Sequence, residues 1–298
     1  MRYDLFTLRL LVAAAATGSI AAAAARHNTV ASAASKRISD LEHAVGTPLL
    51  YRQRRGVEPT QAGRDLLRHA EGLLAAAERM EAEMSDYAEG LRGTVRLAAN
   101  TSAITQFLPD DLAAFVRAHP GIRIDLVEMM SRDVLAAVRS GRADLGIFSG
   151  LTAPGGLAHR PYRRDRLVVV VPAGHPLAGA AGVRLADVLG EDFVALQRGS
   201  SIQAHLERSA EEAGATIRPR VEVMSFDGVR RMVEAGLGIA VLPEGAVAPY
   251  LAPARLGMVP LREPWAEREL RVAARDEALL PRQARALLDA IAAGPAGP

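Results

Sequence analysis

Two short polar clusters carry the residue types best suited to hold a ligand. Asn100, Thr101 and Ser102 close the apolar run Val95–Ala98 and open a helical stretch, and Ser200 and Ser201 stand in a similar place after Phe193–Leu196. Hydroxyls beside the free backbone N–H groups of a helix start can bind a carboxylate or similar anion. Ordinary N-capping explains each such group alone, but two of them facing across a cleft point to ligand binding. Phe226 and Asp227, at another strand-to-helix turn, are a weaker addition to the same set. A third cluster is basic: Lys36 and Arg37, then Arg52, Arg54 and Arg55. Guanidinium and ammonium groups at this density suit a phosphate backbone.

Catalysis and metal binding find no support. The chain has no cysteine, which excludes thiol redox chemistry, and its seven histidines are scattered with no pair at ligand spacing, which argues against a composite metal site. No Ser-His-Asp order or glycine-rich phosphate loop is present, and a hydroxyl-lined cleft without a general base makes a poor catalyst. The expectation is a binding protein without cofactor or metal. Its effector would be a small organic anion.

Three short helices can position the basic cluster. The first covers roughly Leu5 to Ala16 and stops at Thr17-Gly18; Ser19 caps a second, alanine-rich helix reaching Arg26; Asn28 or Thr29 caps a third, ended by Gly46. The alanines between Ala21 and Ala34 let the second and third helices approach across a short turn, as a helix-turn-helix requires. Leu49-Leu50-Tyr51, Arg54-Arg55-Gly56 and Val57 then form a small hairpin with guanidinium groups at its tip. Residues 1–60 hold eight basic against four acidic side chains, a local charge of +4 on a chain whose total is +2. A basic head on a mildly acidic body suits a phosphate-facing module with a neutral passenger.

Between Arg64 and Tyr87 the apolar residues Leu66, Ala70, Leu73, Ala77, Met80, Met84 and Tyr87 alternate steps of four and three. That heptad seam predicts a partner helix, and hence a dimer reading two half-sites about one turn of double-stranded DNA apart. After Gly90-Leu91-Arg92-Gly93, apolar strands alternate with helical stretches, which predicts α/β architecture with mostly parallel sheets. A helix–Gly–strand unit occurs twice, around Gly141 and around Gly236. Repetition suggests two similar lobes with a ligand cleft between them.

The stretches Ser35-Lys36-Arg37-Ile38-Ser39-Asp40-Leu41-Glu42, Gly46-Thr47-Pro48-Leu49-Leu50-Tyr51-Arg52 and Pro59-Thr60-Gln61-Ala62-Gly63 resemble, in order and spacing, the DNA-binding signature of the LysR-type transcriptional regulators. Phe107-Leu108-Pro109, Asp144-Leu145-Gly146-Ile147, His175-Pro176-Leu177 and Gly236 through Pro243 resemble the effector domain of that family, which shares the periplasmic solute-binding fold. The resemblance implies a winged helix-turn-helix over 1–60, a linker and dimerisation helix over 61–89, and an effector domain over 93–298. Lobe I of that domain would take about 93–165 and 268–298, lobe II about 166–267, with chain crossings near Arg163–Leu167 and Ala266–Leu270. It places Ala31, Ser32, Ser35 and Lys36 in the major groove and implies dimers that pair into tetramers. Many members carry Ser-Gln-Pro where Val30-Ala31-Ser32 stand here, so a bidentate adenine reader is absent.

Two other readings compete. An exported solute-binding protein would need a signal peptide, but Asp4 and Arg9 interrupt the amino-terminal apolar run. An enzyme lacks its catalytic groups. The sequence therefore predicts a cytoplasmic regulator with no membrane partner.

Overall fold

The structure is a computed structural model, and it describes residues 3–53, 56–89, 92–217, 219–251 and 255–292, without the side chains of 78, 79 and 81–89. Contacts divide the chain into two compact units, 1–90 with 140–142, and 91–139 with 143–298.

The first unit begins with α1 (Leu5–Thr17), α2 (Ile20–Arg26) and α3 (Ala31–Val45). Asp4 caps α1 by accepting the Thr7 N–H at 2.9 Å, and Ser19 caps α2 through Ala22. Helix α3 departs from expectation: its N-cap is Val30, which has no side chain able to cap, while Asn28 takes a positive φ in the turn before it. Ala24 and Ala34 are fully buried together against Leu10, so the small side chains do bring the three helices close. The strands β1 (Leu50–Gln53) and β2 (Gly56–Pro59) form an antiparallel hairpin, and α4 (Gln61–Glu89) follows.

Polar residues of the motif serve as fasteners. The Glu42 carboxylate accepts the N–H groups of Leu49 and Leu50 at 2.8 and 3.1 Å, fixing the start of the hairpin to α3. The Thr60 hydroxyl donates to the Pro48 carbonyl and accepts the Gly63 N–H, joining the end of the hairpin to the start of α4. Gly63 has to be glycine, because a Cβ there would lie 2.0 Å from the Leu49 carbonyl oxygen.

The second unit opens with β3 (Gly93–Ala99), α5 (Thr101–Gln106), α6 (Leu108–Ala118), β4 (Ile122–Glu128), α7 (Ser131–Ser140) and β5 (Leu145–Ser149). Strands β3, β4 and β5 are parallel, as the alternation predicted. The chain continues through β6 (Ala158–Pro172), β7 (Phe193–Leu196), α8 (Ser201–Glu212), β8 (Pro219–Val223), α9 (Phe226–Glu234), β9 (Ala240–Pro243), α10 (Glu244–Val247), β10 (Leu256–Pro260), β11 (Glu267–Ala274) and α11 (Arg282–Ala292). The expectation of mostly parallel sheets fails here. Strand β6 pairs antiparallel with β9, β10 and β11, and β11 pairs antiparallel with β5, giving one mixed sheet in the order β10-β6-β11-β5-β3-β4. Its long middle strand was only half legible, because residues 158–166 are mostly charged and gain strand structure from pairing with β11.

The apolar interior divides at this β6–β11 pair. One cluster gathers Leu167–Val171, Phe193, Val229, Leu242 and Val259; beyond the pair, a second gathers Val95, Leu97, Leu145, Leu270 and Leu287, and a third Ala98, Val134, Val138 and Phe148. The helix–Gly–strand units occupy equivalent places, with Gly141 and Gly236 in the left-handed region at φ +76° and +77°. At the division, Arg268 of β11 and Asp165 of β6 form a buried ion pair, with side chains 0% and 3% exposed. The Arg268 Nε donates to Asp165 Oδ1 at 2.6 Å.

Gly63→Ala should lower the melting temperature seen by circular dichroism. Relief of helical glycine gains about 1 kcal/mol, but backbone overpacking costs about 1–3 kcal/mol. The backbone oxygen cannot swing aside as a side chain would, so the clash wins; an unchanged melting temperature would show that the turn relaxes freely. Asp165→Asn should destabilise by about 3–5 kcal/mol, because it leaves a buried guanidinium without its counter-charge. The double change Asp165→Leu with Arg268→Met should cost less in chemical denaturation than Asp165→Asn alone.

Candidate functional sites: a basic helix face and an inter-lobe cleft

On α3, Ala31, Ser32 and Lys36 are exposed and Ser35 is half-buried. The spacing of Ser32, Ser35, Lys36 and Ser39 puts them on one helical face. Arg52 of β1 reaches onto that face, its Nη1 donating to the Ser35 hydroxyl at 3.2 Å and its Nη2 to the Ser39 hydroxyl at 3.0 Å. Both hydroxyl oxygens therefore accept from a cation, and their own protons remain to donate outward. Ser39 was missed in the sequence; its signal was the same helical spacing. Arg37 is turned elsewhere. Its guanidinium pairs with Asp4 at 3.5 Å, donates to Thr7 and lies 5.2 Å from the Phe6 ring centre, so it secures α1 and does not extend the Lys36 face. Arg54 and Arg55 lie outside the described residues.

The expected seam on α4 is split. Ala70 is fully buried in the core of its own unit beside Leu74, and Leu66 is partly buried against the same core. Ala70 is thus removed from the set of residues open to a partner. Leu73 and Met80, one heptad apart, are 53% and 59% exposed, and Ala77 is intermediate. The Met84 side chain lies outside the described residues.

In the second unit, Asn100, Thr101 and Ser102 at the start of α5 line one cleft with Ser200 and Ser201 at the start of α8. Phe226 joins them from α9, with Met129, Met130 and Ser131 on the α5 side and a cleft volume of about 40 Å³. Asp227 does not line it; that carboxylate pairs with Arg230 one turn along α9. Sequence spacing did not single out Ser131, because it becomes a neighbour of Asn100 only through the parallel β3–β4 pairing.

The cleft has a defined hydrogen-bond polarity. Asn100 accepts the Ala103 N–H at 3.0 Å, which caps α5, and donates its amide to the Ser131 hydroxyl oxygen at 3.2 Å. That oxygen also accepts the Ser149 N–H at 3.1 Å. With both lone pairs engaged, Ser131 can act toward the cleft only as a donor. The Ser102 oxygen accepts from Arg268 Nη2 at 2.9 Å, which likewise leaves its proton to donate. Thr101 donates to the Glu128 carboxylate at 2.6 Å. Across the cleft, Ser200 is the N-cap of the twelve-residue α8 but makes no side-chain cap bond. One turn further along α8, His205 meets Trp265 edge-to-face with ring centres 5.6 Å apart; burial and Arg208 hold its imidazole below the ordinary range.

Among the described residues no group of side chains could hold a metal ion, and no helix is long and apolar enough to cross a membrane.

Known proteins agree with this arrangement. Residues 5–64 match the family described as bacterial regulatory helix-turn-helix protein, lysR family, and residues 88–295 match the LysR substrate binding domain. The chain is 32% identical over 291 residues to the HTH-type transcriptional regulator CbbR of Xanthobacter flavus, covering 96% of this chain and 86% of that protein. Full-length CbnR, solved in complex with its target DNA, shares the fold at a TM-score of 0.70 with 21% identity, over 97% of this chain and 99% of that one. The CcmR regulatory domain of Synechocystis PCC6803, solved with 2-PG, is 25% identical at a TM-score of 0.62, over 68% of this chain and 97% of that one. These relatives are regulators rather than enzymes. By its two matched domains, which together span nearly all its length, this chain belongs to the LysR family of transcriptional regulators.

Proposed function

We propose that this regulator couples the occupancy of its inter-lobe cleft by a small organic anion to the way it holds operator DNA. The observation that carries the reading is the convergence of Ser102, Ser131 and the open first turn of α8 on one cleft, all presenting donors. Protons held outward by Ser102 and Ser131 favour a carboxylate or phosphate, whose oxygens only accept. The CcmR domain, solved with 2-PG, makes 2-phosphoglycolate the first probe to use.

DNA would be met by the α3 face. Lys36, Ser32 and Ser35 reach base edges, Ala31 offers a methyl contact, and Arg52 with Arg54 and Arg55 meets the phosphates. The exposed Leu73 and Met80, together with Ala77 and Met84, would pack on a second copy, giving a dimer that pairs again into a tetramer. A cytoplasmic location fits this reading.

Lys36→Ala should weaken operator binding and change which bases are tolerated, while Arg54→Ala should weaken binding to every sequence and flatten its salt dependence. If fluorescence anisotropy shows neither effect in folded, dimeric protein, α3 is not the reading helix. Leu73→Glu places a carboxylate in the proposed seam and should give smaller species in sedimentation; unchanged assembly would remove that seam. Ser102→Ala should weaken 2-phosphoglycolate by about 1.5–3 kcal/mol, the usual worth of a hydrogen bond to a charged group. Calorimetry showing equal affinity in wild type and variant would take Ser102 out of the site.

A further inference from the structure

Opposite its hydroxyl donors, the inter-lobe cleft is apolar. Met129 and Met130 come from one lobe, and Leu196, Ile202, Met224 and Phe226 from the other. Three of the chain's eight methionines thus converge on one cleft. Leu196, Ile202 and Phe226 are buried in the core of their lobe, which holds them in place. The methionines are freer: Met224 is 72% exposed, and Met129 and Met130 are half-buried.

That difference bears on the size of the ligand. At about 40 Å³ the cleft holds little more than a water molecule. Methionine is unbranched, with three rotatable bonds and a polarizable thioether, and re-packs around whatever it meets. The Met130 Sδ stands 2.7 Å from where a Cβ on Gly199 would lie, so the missing side chain in the turn before α8 is space that Met130 fills. Rotation of Met130 and Met224 would open the cleft without disturbing the buried core.

Charge is the second constraint. Among the described residues, none that lines the cleft is acidic or basic. Arg268 stands behind Ser102 with its charge answered by Asp165. Arg132 extends to Gly199 in the neighbouring cavity, which it shares with His205 and Arg208. A phosphate ester carries a charge of about −1.5 to −2 at neutral pH, whereas the start of a helix such as α8 offers the equivalent of about half a positive charge. A single carboxylate suits that field, and its two oxygens can accept from Ser102, Ser131 and the α8 N–H groups. The rest of the ligand meets thioethers, a phenyl ring and aliphatic side chains, which favour apolar surface and leave a hydroxyl without a partner.

We propose that the effector is a monocarboxylate carried on an apolar body, and not a phosphorylated acid, with Met130, Met224 and Phe226 selecting the body. This rests on the reading of the cleft as an anion site and narrows it to one chemical class.

The test is calorimetric titration of the full-length protein with benzoate, phenylacetate and hexanoate, and with comparators that each change one feature. Glycolate keeps the carboxylate and lacks the apolar body. Benzylphosphonate keeps the body of phenylacetate and exchanges its carboxylate for a phosphonate. At least one of the three monocarboxylates should bind at least about tenfold more tightly than glycolate, benzylphosphonate and 2-phosphoglycolate. Met130→Ser with Met224→Ser should abolish the preference over glycolate. Met224→Arg, at an exposed position that folding does not depend on, adds a cation at the mouth and should tighten 2-phosphoglycolate by at least about tenfold. If 2-phosphoglycolate binds wild type more tightly than every monocarboxylate, the inference is overturned and the anion reading stands. Preferences unchanged in both variants would overturn it too, as would failure of all three monocarboxylates to bind; the anion reading would then be decided by the 2-phosphoglycolate titration.

Discussion

The Asp165–Arg268 ion pair is the constraint on which the effector unit is arranged. Two charges are withdrawn from water at the line where the apolar interior divides, and burial at this depth needs charge pairing and directed hydrogen bonds. Asp165 supplies both to Arg268 Nε and Nη2 and also accepts from Gln106. Since Asp165 is on β6 and Arg268 on β11, the pair locks the register of the two strands that pass between the lobes. It also fixes Ser102, whose hydroxyl oxygen is held by Arg268 Nη2. The donor character of the cleft is thus set from behind by a cation that never faces solvent.

A cation behind a hydroxyl acts differently from one lining the site. An exposed arginine would bind anions indiscriminately and be screened by salt. A buried one biases a neutral donor, so selectivity rests on hydrogen-bond direction and shape. Ser131 follows the same logic with neutral partners, Asn100 and the Ser149 N–H. On the α3 face the cation holding the hydroxyl oxygens of Ser35 and Ser39 is instead exposed, Arg52.

Much of this was legible in the sequence where local rules decide. Ser19 and Gly46 mark helix ends by their own chemistry, and the alanines of α2 and α3 announce close packing. Asn100–Ser102 and Ser200–Ser201 were found because strand-to-helix turns have a local signature. What stayed hidden depends on pairing distant in the chain. Ser131 joins the cleft through β3–β4 pairing, the first half of β6 is a strand only beside β11, and Arg268 meets Asp165 103 residues away. Helical periodicity likewise could not say which turns of α4 face their own unit, so Ala70 looked like interface and proved to be core. Arg37 shares a basic run with Lys36, yet one residue of helical rotation takes it to Asp4 and Phe6.

The central claim is that the cleft between the lobes takes a small organic anion through the donors of Ser102, Ser131 and α8. Hydrogen–deuterium exchange on the full-length protein, with and without a panel of small carboxylates and phosphorylated acids that includes 2-phosphoglycolate, tests it most directly. The account predicts that a binding anion slows exchange in the segments 100–103, 129–132 and 200–204 together, since these backbone amides close on the ligand. Protection confined to other segments, or none with any anion of the panel, would contradict it.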